Sequence, residues 1–426
     1  MARLSFCVFL LIAVCCGNVF GQAARTPFSS FGIGEYYGNA TASQQGMAGV
    51  GVSNPQYLYL NNINPALLVF NGLQGITTFQ AGILGEKRTI KDDTNSDKST
   101  GGNLNYLLLG FPIKSGKWVT SVGLMPYTGM NYRFTYTENV PGGTAPVTFV
   151  ESGTGGINQV AWSHGVTVTR KISVGARASY LYSTIENGFQ NTVDLSGNGQ
   201  LVAYTPDVHQ RFYYKGFAFT GAVSVHLDSL FNDKYKFNFG AVYDFKARLN
   251  TDYLQTLVRT NAATTVSTDS LVHEGGKTTI PSIMQVGVSF GRGNTWVFGV
   301  DGRFTDYSKF GFFRNGSADV QKGWRVAAGL EITPNPNSLS NYLKVITYRV
   351  GASAEEYPYL ANGKALRDLG TNVGISLPVA RGCSVDLSGR WGNRGSITDN
   401  GITEKYFKLY FGVTFNDRWF IKRRFD

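Results

Sequence analysis

Cysteine, long apolar runs and histidine are all scarce in this chain. Three of its four cysteines (Cys7, Cys15, Cys16) lie in the first 21 residues and only Cys383 follows. Once those residues are removed no internal disulfide can form, and no C-x-x-C metal site exists. The longest apolar stretch, Leu4 to Cys16, is too short for a spanning helix, and no later segment approaches that length; a helical membrane protein is excluded. His209, His226 and His273 lack the companion spacing of a metal centre. Ser163 and His164 are adjacent, so on a strand they face opposite sides and cannot pair as nucleophile and base. No catalytic site, metal or cofactor is expected, and the chain reads as a non-enzyme.

The start is basic (Met1-Ala2-Arg3), then apolar, then small, with Val19 and Gly21 at −3 and −1 of a cleavage before Gln22. Residues 1–21 therefore read as a secretory signal peptide. A lipid-anchored reading of Cys15 or Cys16 is disfavoured, because Val14 and Cys15 are poor residues before a lipidated cysteine. Hydrophobic content of 42% and a mean hydropathy of −0.11 resemble a soluble protein. A barrel with lipid outside and water inside averages the same way. Glycine, at 52 of 426 residues, and aromatics, at 14%, are abundant, as closely packed tilted strands with interfacial rings require.

Period-two patterning recurs along the chain. In "YFKLYFGVTF" Phe407, Leu409, Phe411, Val413 and Phe415 share one face, while Tyr406, Lys408, Tyr410, Gly412 and Thr414 share the other. "YKFNFGAVYDFKARL" sets Tyr235 through Leu249, every second residue, against Lys236, Asn238, Asp244, Lys246 and Arg248. The apolar faces run for about ten residues, the span of a tilted strand across an outer membrane. Short connections near 115–117, 170–171, 228–234, 292–294, 334–341 and 379–382 alternate with long ones near 91–102, 140–156, 187–208, 252–280, 307–322, 356–367 and 393–403. Tight periplasmic turns and long external loops give that rhythm. The pattern predicts an all-β fold, a transmembrane antiparallel barrel of about fourteen strands over 73–415. A 118–139 strand interrupted at "MPYTG" is counted as one. A secreted β-sandwich explains the alternation but not the strand lengths, and no repeat supports a propeller.

Residues 22–72 read differently. Gly46, Gly49, Gly51, Pro55 and Pro65 break any regular element, while Tyr36, Tyr37, Tyr57, Leu67 and Phe70 argue against disorder. Their shelter is the barrel interior, so this segment is expected to be a plug. A basic tail, 416–426, closes the chain.

The Gly/Ala stretch of "QQGMAGVGVS", followed by Asn64-Pro65-Ala66 and the barrel, resembles the FadL/TodX family of outer-membrane channels for hydrophobic molecules. "GLMPYTGMNY" resembles the family's kinked third strand. "SSFGIGE", "ESGTGGINQV" and "FNDRWFIKRRFD" look like Bacteroidetes-type members. The resemblance covers nearly the whole mature chain, with the terminal Asp426 departing from the usual aromatic end.

It implies a hatch motif at Asn64, Pro65 and Ala66, and a lateral opening at a kink made by Pro126 and Gly129. A fatty-acid-like ligand would pass through that opening from lumen to membrane. Arg177, Asp301, Arg303, Arg325, Glu331, Arg349 and Arg390 project inward if the alternation holds, with Glu355 and Asp386. They read as a self-satisfied network, from which one arginine could hold a carboxylate.

The net charge of +11 suits anionic outer-membrane lipid or lipopolysaccharide near Arg418, Lys422, Arg423 and Arg424, rather than nucleic acid. The implied function is uptake of hydrophobic molecules by a monomeric barrel in the bacterial outer membrane. Two alternatives stay open: an adaptor barrel of a protein-export or surface-assembly machinery, favoured by a sealed lumen, and a non-specific porin.

Overall fold

The computed structural model describes residues 22–71, 75–139, 146–193, 204–230, 234–261, 264–293, 295–311, 313, 320–380 and 382–419. The expected leader (1–21) and the basic residues Lys422, Arg423 and Arg424 lie outside them.

A two-residue strand, β1 (Glu35–Tyr36), comes first. The wall follows: β2 (Thr77–Lys91), β3 (Ser96–Lys114), β4 (Trp118–Pro126), β5 (Thr128–Asn139), β6 (Pro146–Thr169) and β7 (Ile172–Val193). Next come β8 (Tyr204–Leu230), β9 (Tyr235–Asp244), β10 (Ala247–Asn261), β11 (Thr264–Ile280), β12 (Ile283–Arg292) and β13 (Trp296–Asp306). The last are β14 (Lys322–Ile332), β15 (Thr347–Ala361), β16 (Lys364–Ala380), β17 (Cys383–Arg394) and β18 (Thr403–Asp417). Three staves are each built of two segments, β4 with β5, β9 with β10, and β11 with β12. The result is a closed fourteen-stranded antiparallel barrel. Closure is the β18–β2 ladder, which runs from Thr403↔Lys91 to Asp417↔Thr77. A closed sheet leaves no edge to be satisfied in hydrocarbon.

Side-chain alternation sorts the wall. Trp162, Phe217 and Phe219 stand more than half exposed on the outside, where lipid would cover them. Tyr406, Lys408, Tyr410 and Thr414 are buried on the inside, as the final-strand pattern predicts.

Among the described residues, the structure departs from the expected alternation in the stave of β9 and β10. Ala247 and Leu249 are buried inside, while Phe245, Lys246 and Arg248 are exposed. Two residues, Phe245 and Lys246, separate β9 from β10. That irregular step moves every later side chain of the stave to the other face. The long connections are also shorter than the sequence suggests. Residues 252–280 are mostly β10 paired to β11, and 356–367 is a hairpin turning at Asn362–Gly363. Beyond the membrane both faces meet water, so the polarity signal fades while the backbone ladder continues.

Residues 22–71 pack against the inward-facing side chains. At its closest backbone approaches to the wall this segment meets glycine: a Cβ added at Gly240 would sit 2.0 Å from the Val52 carbonyl oxygen, and one at Gly175 2.3 Å from the Ala66 nitrogen.

Candidate functional site

Residues 41–66 are folded by their own side-chain amides and hydroxyls. Asn61 donates from Nδ2 to the Gly51 carbonyl (2.7 Å), and its Oδ1 accepts from the amides of Ile63 and Asn64. Asn64 donates to the Val52 carbonyl (2.7 Å) and accepts from the Ala66 amide (2.9 Å), capping the turn that Pro65 opens. Asn64, Pro65 and Ala66 are all buried. Pro65 suits that first position because its ring pre-sets the backbone angle and no donor is lost. Thr41 and Gln44 form a capping box around the short helix Ala42–Gln45.

The inward polar residues of the wall grip this segment. Asp301 accepts from the amides of Gly51 (2.7 Å) and Val52 (2.9 Å). Arg177 donates to Ser163 Oγ (3.1 Å) and to the Asn62 carbonyl. Arg325 donates to the Ala48 carbonyl (2.5 Å) and shares Glu355 with Arg303. Arg303 also lies 5.1 Å from the ring centre of Tyr36. Arg349 pairs with Glu331 (2.6 Å), and Ser376 bridges it to Asp386. Arg390 pairs with Asp368 (3.0 Å). Each of these arginines already has a partner.

The strongest cluster centres on residues the sequence reading passed over. Glu35 accepts from Arg88 (2.7 Å), Arg394 (2.8 Å) and Lys408 (3.0 Å). Arg88, fully buried, also meets Glu86 (2.7 Å) and Glu404 (2.6 Å), and Arg394 meets Asp368 (3.0 Å). Burial alone would raise the Glu35 carboxyl, but Arg394, Arg88 and Lys408 outweigh it and hold it well below the usual carboxylate range. The available signal was Glu35 itself, the sole carboxylate between residues 22 and 72. An acid alone in an apolar segment needs a buried cation partner.

Pro126 and Gly129 flank an interruption in the wall. Pro126 ends β4, and the β3–β4 ladder stops at Leu107↔Leu124. Beyond it, among the described residues, β3 and β5 form no ladder with each other. β5 pairs instead with β1, Glu35↔Gly129 and Tyr36↔Thr128. The neighbouring strand β6 continues past this height, with Gly155↔Ile185 and Gly156↔Thr184 still paired to β7, but Gly155 and Gly156 take φ of 115° and 146° there, a conformation open to glycine. That Gly-Gly pair within a strand is a second signal the sequence reading did not use as such.

The first described residues stitch the gap. The Gly102 amide donates to the Gln22 carbonyl (2.9 Å) on the β3 side, and the Thr26 amide donates to the Asn131 carbonyl (2.8 Å) on the β5 side. A cleft of ≈ 1150 Å³ opens here, lined by Leu104, Leu124, Met125, Met130, Tyr180 and Tyr214. Cavities bordered by Tyr36 and Arg303 measure only ≈ 40 and ≈ 80 Å³, while a separate one of ≈ 780 Å³ is lined by Tyr57, Tyr59, Lys236, Asn238 and Arg349. Ser163 and His164 do face opposite ways: Ser163 inward on Arg177, His164 outward, accepting from Trp118 Nε1 (3.2 Å).

A family model described as BamG matches residues 1–426. Solved structures share the fold. The Pseudomonas putida toluene transporter TodX has a TM-score of 0.59 at 15% identity, covering 91% of this chain and 100% of that one. The CymD monoaromatic hydrocarbon channel has 0.56 at 13%, covering 89% and 98%. The Ralstonia pickettii toluene transporter TbuX has 0.54 at 14%, covering 89% and 98%. Among curated proteins nothing matches.

Proposed function

The chain belongs to the BamG family, and from that membership we propose that it is a plugged outer-membrane barrel acting as an adaptor in a surface-assembly machinery, the role to which the family's name points. The tight filling of the lumen around Tyr36 and Arg303 carries this reading. Pockets for small molecules run to about 300–1,000 Å³; the cavities around Tyr36 and Arg303 reach only ≈ 80 Å³, and the larger one of ≈ 780 Å³, lined by Tyr57, Tyr59, Lys236 and Arg349, shares no lining residue with them. The hatch, residues 22–71, is fastened at both the Glu35 cluster and Asp301, and the lumen arginines are engaged rather than waiting for a carboxylate. An adaptor needs a stable outer wall and hairpins, and it needs no conduit.

The wall gap favours a second reading. A hydrophobic solute, as the toluene transporters of like fold carry, would leave through the cleft between β3 and β5 after residues 22–36 withdrew. Met125 and Met130 would line its path, and the ligand would be uncharged.

Depletion in the native host distinguishes the two. The adaptor reading expects the abundance of other outer-membrane barrels to fall while uptake of a labelled aromatic hydrocarbon per cell is unchanged. Lost uptake with normal barrel abundance would overturn it in favour of the channel.

A further inference from the structure

The ladders β17–β18–β2–β3 align outward residues into rows. One row reads Asn393, Lys405, Thr89, Lys98; the next reads Trp391, Phe407, Lys87, Thr100. Below them lie Gly389, Leu409, Gly85, Gly102, and then Leu387, Phe411, Ile83, Leu104. With strands about 4.8 Å apart, Lys405 and Lys98 stand about 10 Å from each other, and Lys87 lies about 7 Å further down the wall.

All three lysines are exposed, at the end of the barrel that carries the long hairpins. The neighbouring acids are engaged elsewhere. Glu86 and Glu404 point inward onto Arg88, and Asp97 meets Arg25 at 3.6 Å. Asp92 accepts the amides of its own turn, and Asp93 sits in that same turn beyond Lys91.

Beneath Lys87 one glycine, Gly85, leaves a hollow. A Cβ at Gly85 would meet nothing within 4 Å. Ile83 and Leu104 border it below, and Trp391 lies tilted beside Phe407 with ring centres 4.9 Å apart. Cations at headgroup height above an apolar hollow match one kind of molecule: an acylated lipid bearing phosphate. We infer that Lys87, Lys98 and Lys405 bind the phosphates of a phosphorylated glycolipid of the outer leaflet, with an acyl chain in the hollow over Gly85, between Leu409, Ile83 and Leu104. Ammonium–phosphate pairs supply the attraction, and burial of the chain supplies the anchorage. The hollow lies beside the part of β3 that, among the described residues, has no ladder to β4 or β5, so the lipid would seal the outside of the gap that Gln22 closes from within.

The inference needs only the barrel's seat in the outer membrane, and its test is read on purified protein, apart from any assembly phenotype. Wild type and a Lys87→Gln/Lys98→Gln/Lys405→Gln variant, both folded by heat-modifiable migration, are titrated with lipid A and with dephosphorylated lipid A under native mass spectrometry. The expected result is at least tenfold preference of wild type for the phosphorylated form, lost in the variant. A Lys246→Gln/Arg248→Gln control, altering outward cations elsewhere, keeps the preference. Inorganic phosphate at millimolar concentration does not displace the lipid. Equal binding by the triple variant, equal binding of the dephosphorylated lipid, or displacement by free phosphate would overturn the inference. So would crosslinking of Lys87 to a protein rather than a lipid in intact membranes.

Discussion

Arg394 Nη2 donates to Glu35 Oε1 at 2.8 Å across 359 positions of sequence. The contact ties the internal segment to the second-last strand of the wall, and Arg88 and Lys408 complete the cage. Removing one partner of a buried ion pair costs about 3–5 kcal/mol, mostly because the other charge is left uncompensated. Glu35→Ala should therefore loosen residues 22–36 while the closed sheet persists. In planar bilayers the variant is expected to show frequent openings where wild type is quiet. Silence in both would mean that the segment is held by packing alone.

The same carboxylate sets a pH dependence. Its folded-state pKa is depressed, so its contribution is full above the unfolded value of about 4.3. That contribution is lost only as pH falls through the lower folded value. Conductance should stay closed from neutral pH down to about 4.5 and rise only in stronger acid. Opening near pH 6 would place the control elsewhere.

Gly156 tests the wall break. A side chain there would meet the Thr128 carbonyl oxygen at 2.4 Å, at a φ that only glycine adopts readily. Gly156→Val should fail to assemble, read as loss of heat-modifiable migration. Gly129 differs, because the atom its Cβ would strike is the Tyr37 side chain, at 2.6 Å. Gly129→Ala should be rescued by Tyr37→Ala. Replacing Pro126 and Gly129 with valine would not mend the wall, since the open edge of β5 is already paired with β1.

Asp301→Ala should leave the amides of Gly51 and Val52 buried without an acceptor. Each costs about 1–3 kcal/mol, and the unfolding midpoint in denaturant should fall accordingly. Asp301→Asn keeps an acceptor oxygen and is expected to lose less. Equal losses would point to the charge rather than the hydrogen bonds.

The barrel was legible because lipid outside and polar groups inside write a period of two into each strand. The alternation failed at Phe245–Lys246, where an irregular step reverses the faces without any change in composition. Inward placement of Arg177, Asp301 and Arg349 followed from that period. Glu331, opposite Arg349 on the adjacent strand, follows from that register too; the Asn62 carbonyl held by Arg177 and the Gly51 and Val52 amides held by Asp301 do not, since they belong to residues 22–71 and reach the wall only in the folded chain. Pro126 and Gly129 marked the interruption, but the filling of the gap by Gln22 to Tyr36 depends on backbone bonds that no side-chain pattern encodes.

The central claim is that the barrel works with its lumen shut. Tyr36 and Thr128 are ladder partners, with Cα atoms about 4.5–5.5 Å apart, within disulfide reach. In a Cys383→Ser background, Tyr36→Cys/Thr128→Cys would lock the segment to the wall on oxidation. The measurement is the abundance of other outer-membrane barrels in cells whose only copy is the oxidised, locked protein. The account predicts wild-type abundance and growth. Loss of both on oxidation, restored by reductant, would contradict it and make movement of the segment part of the function.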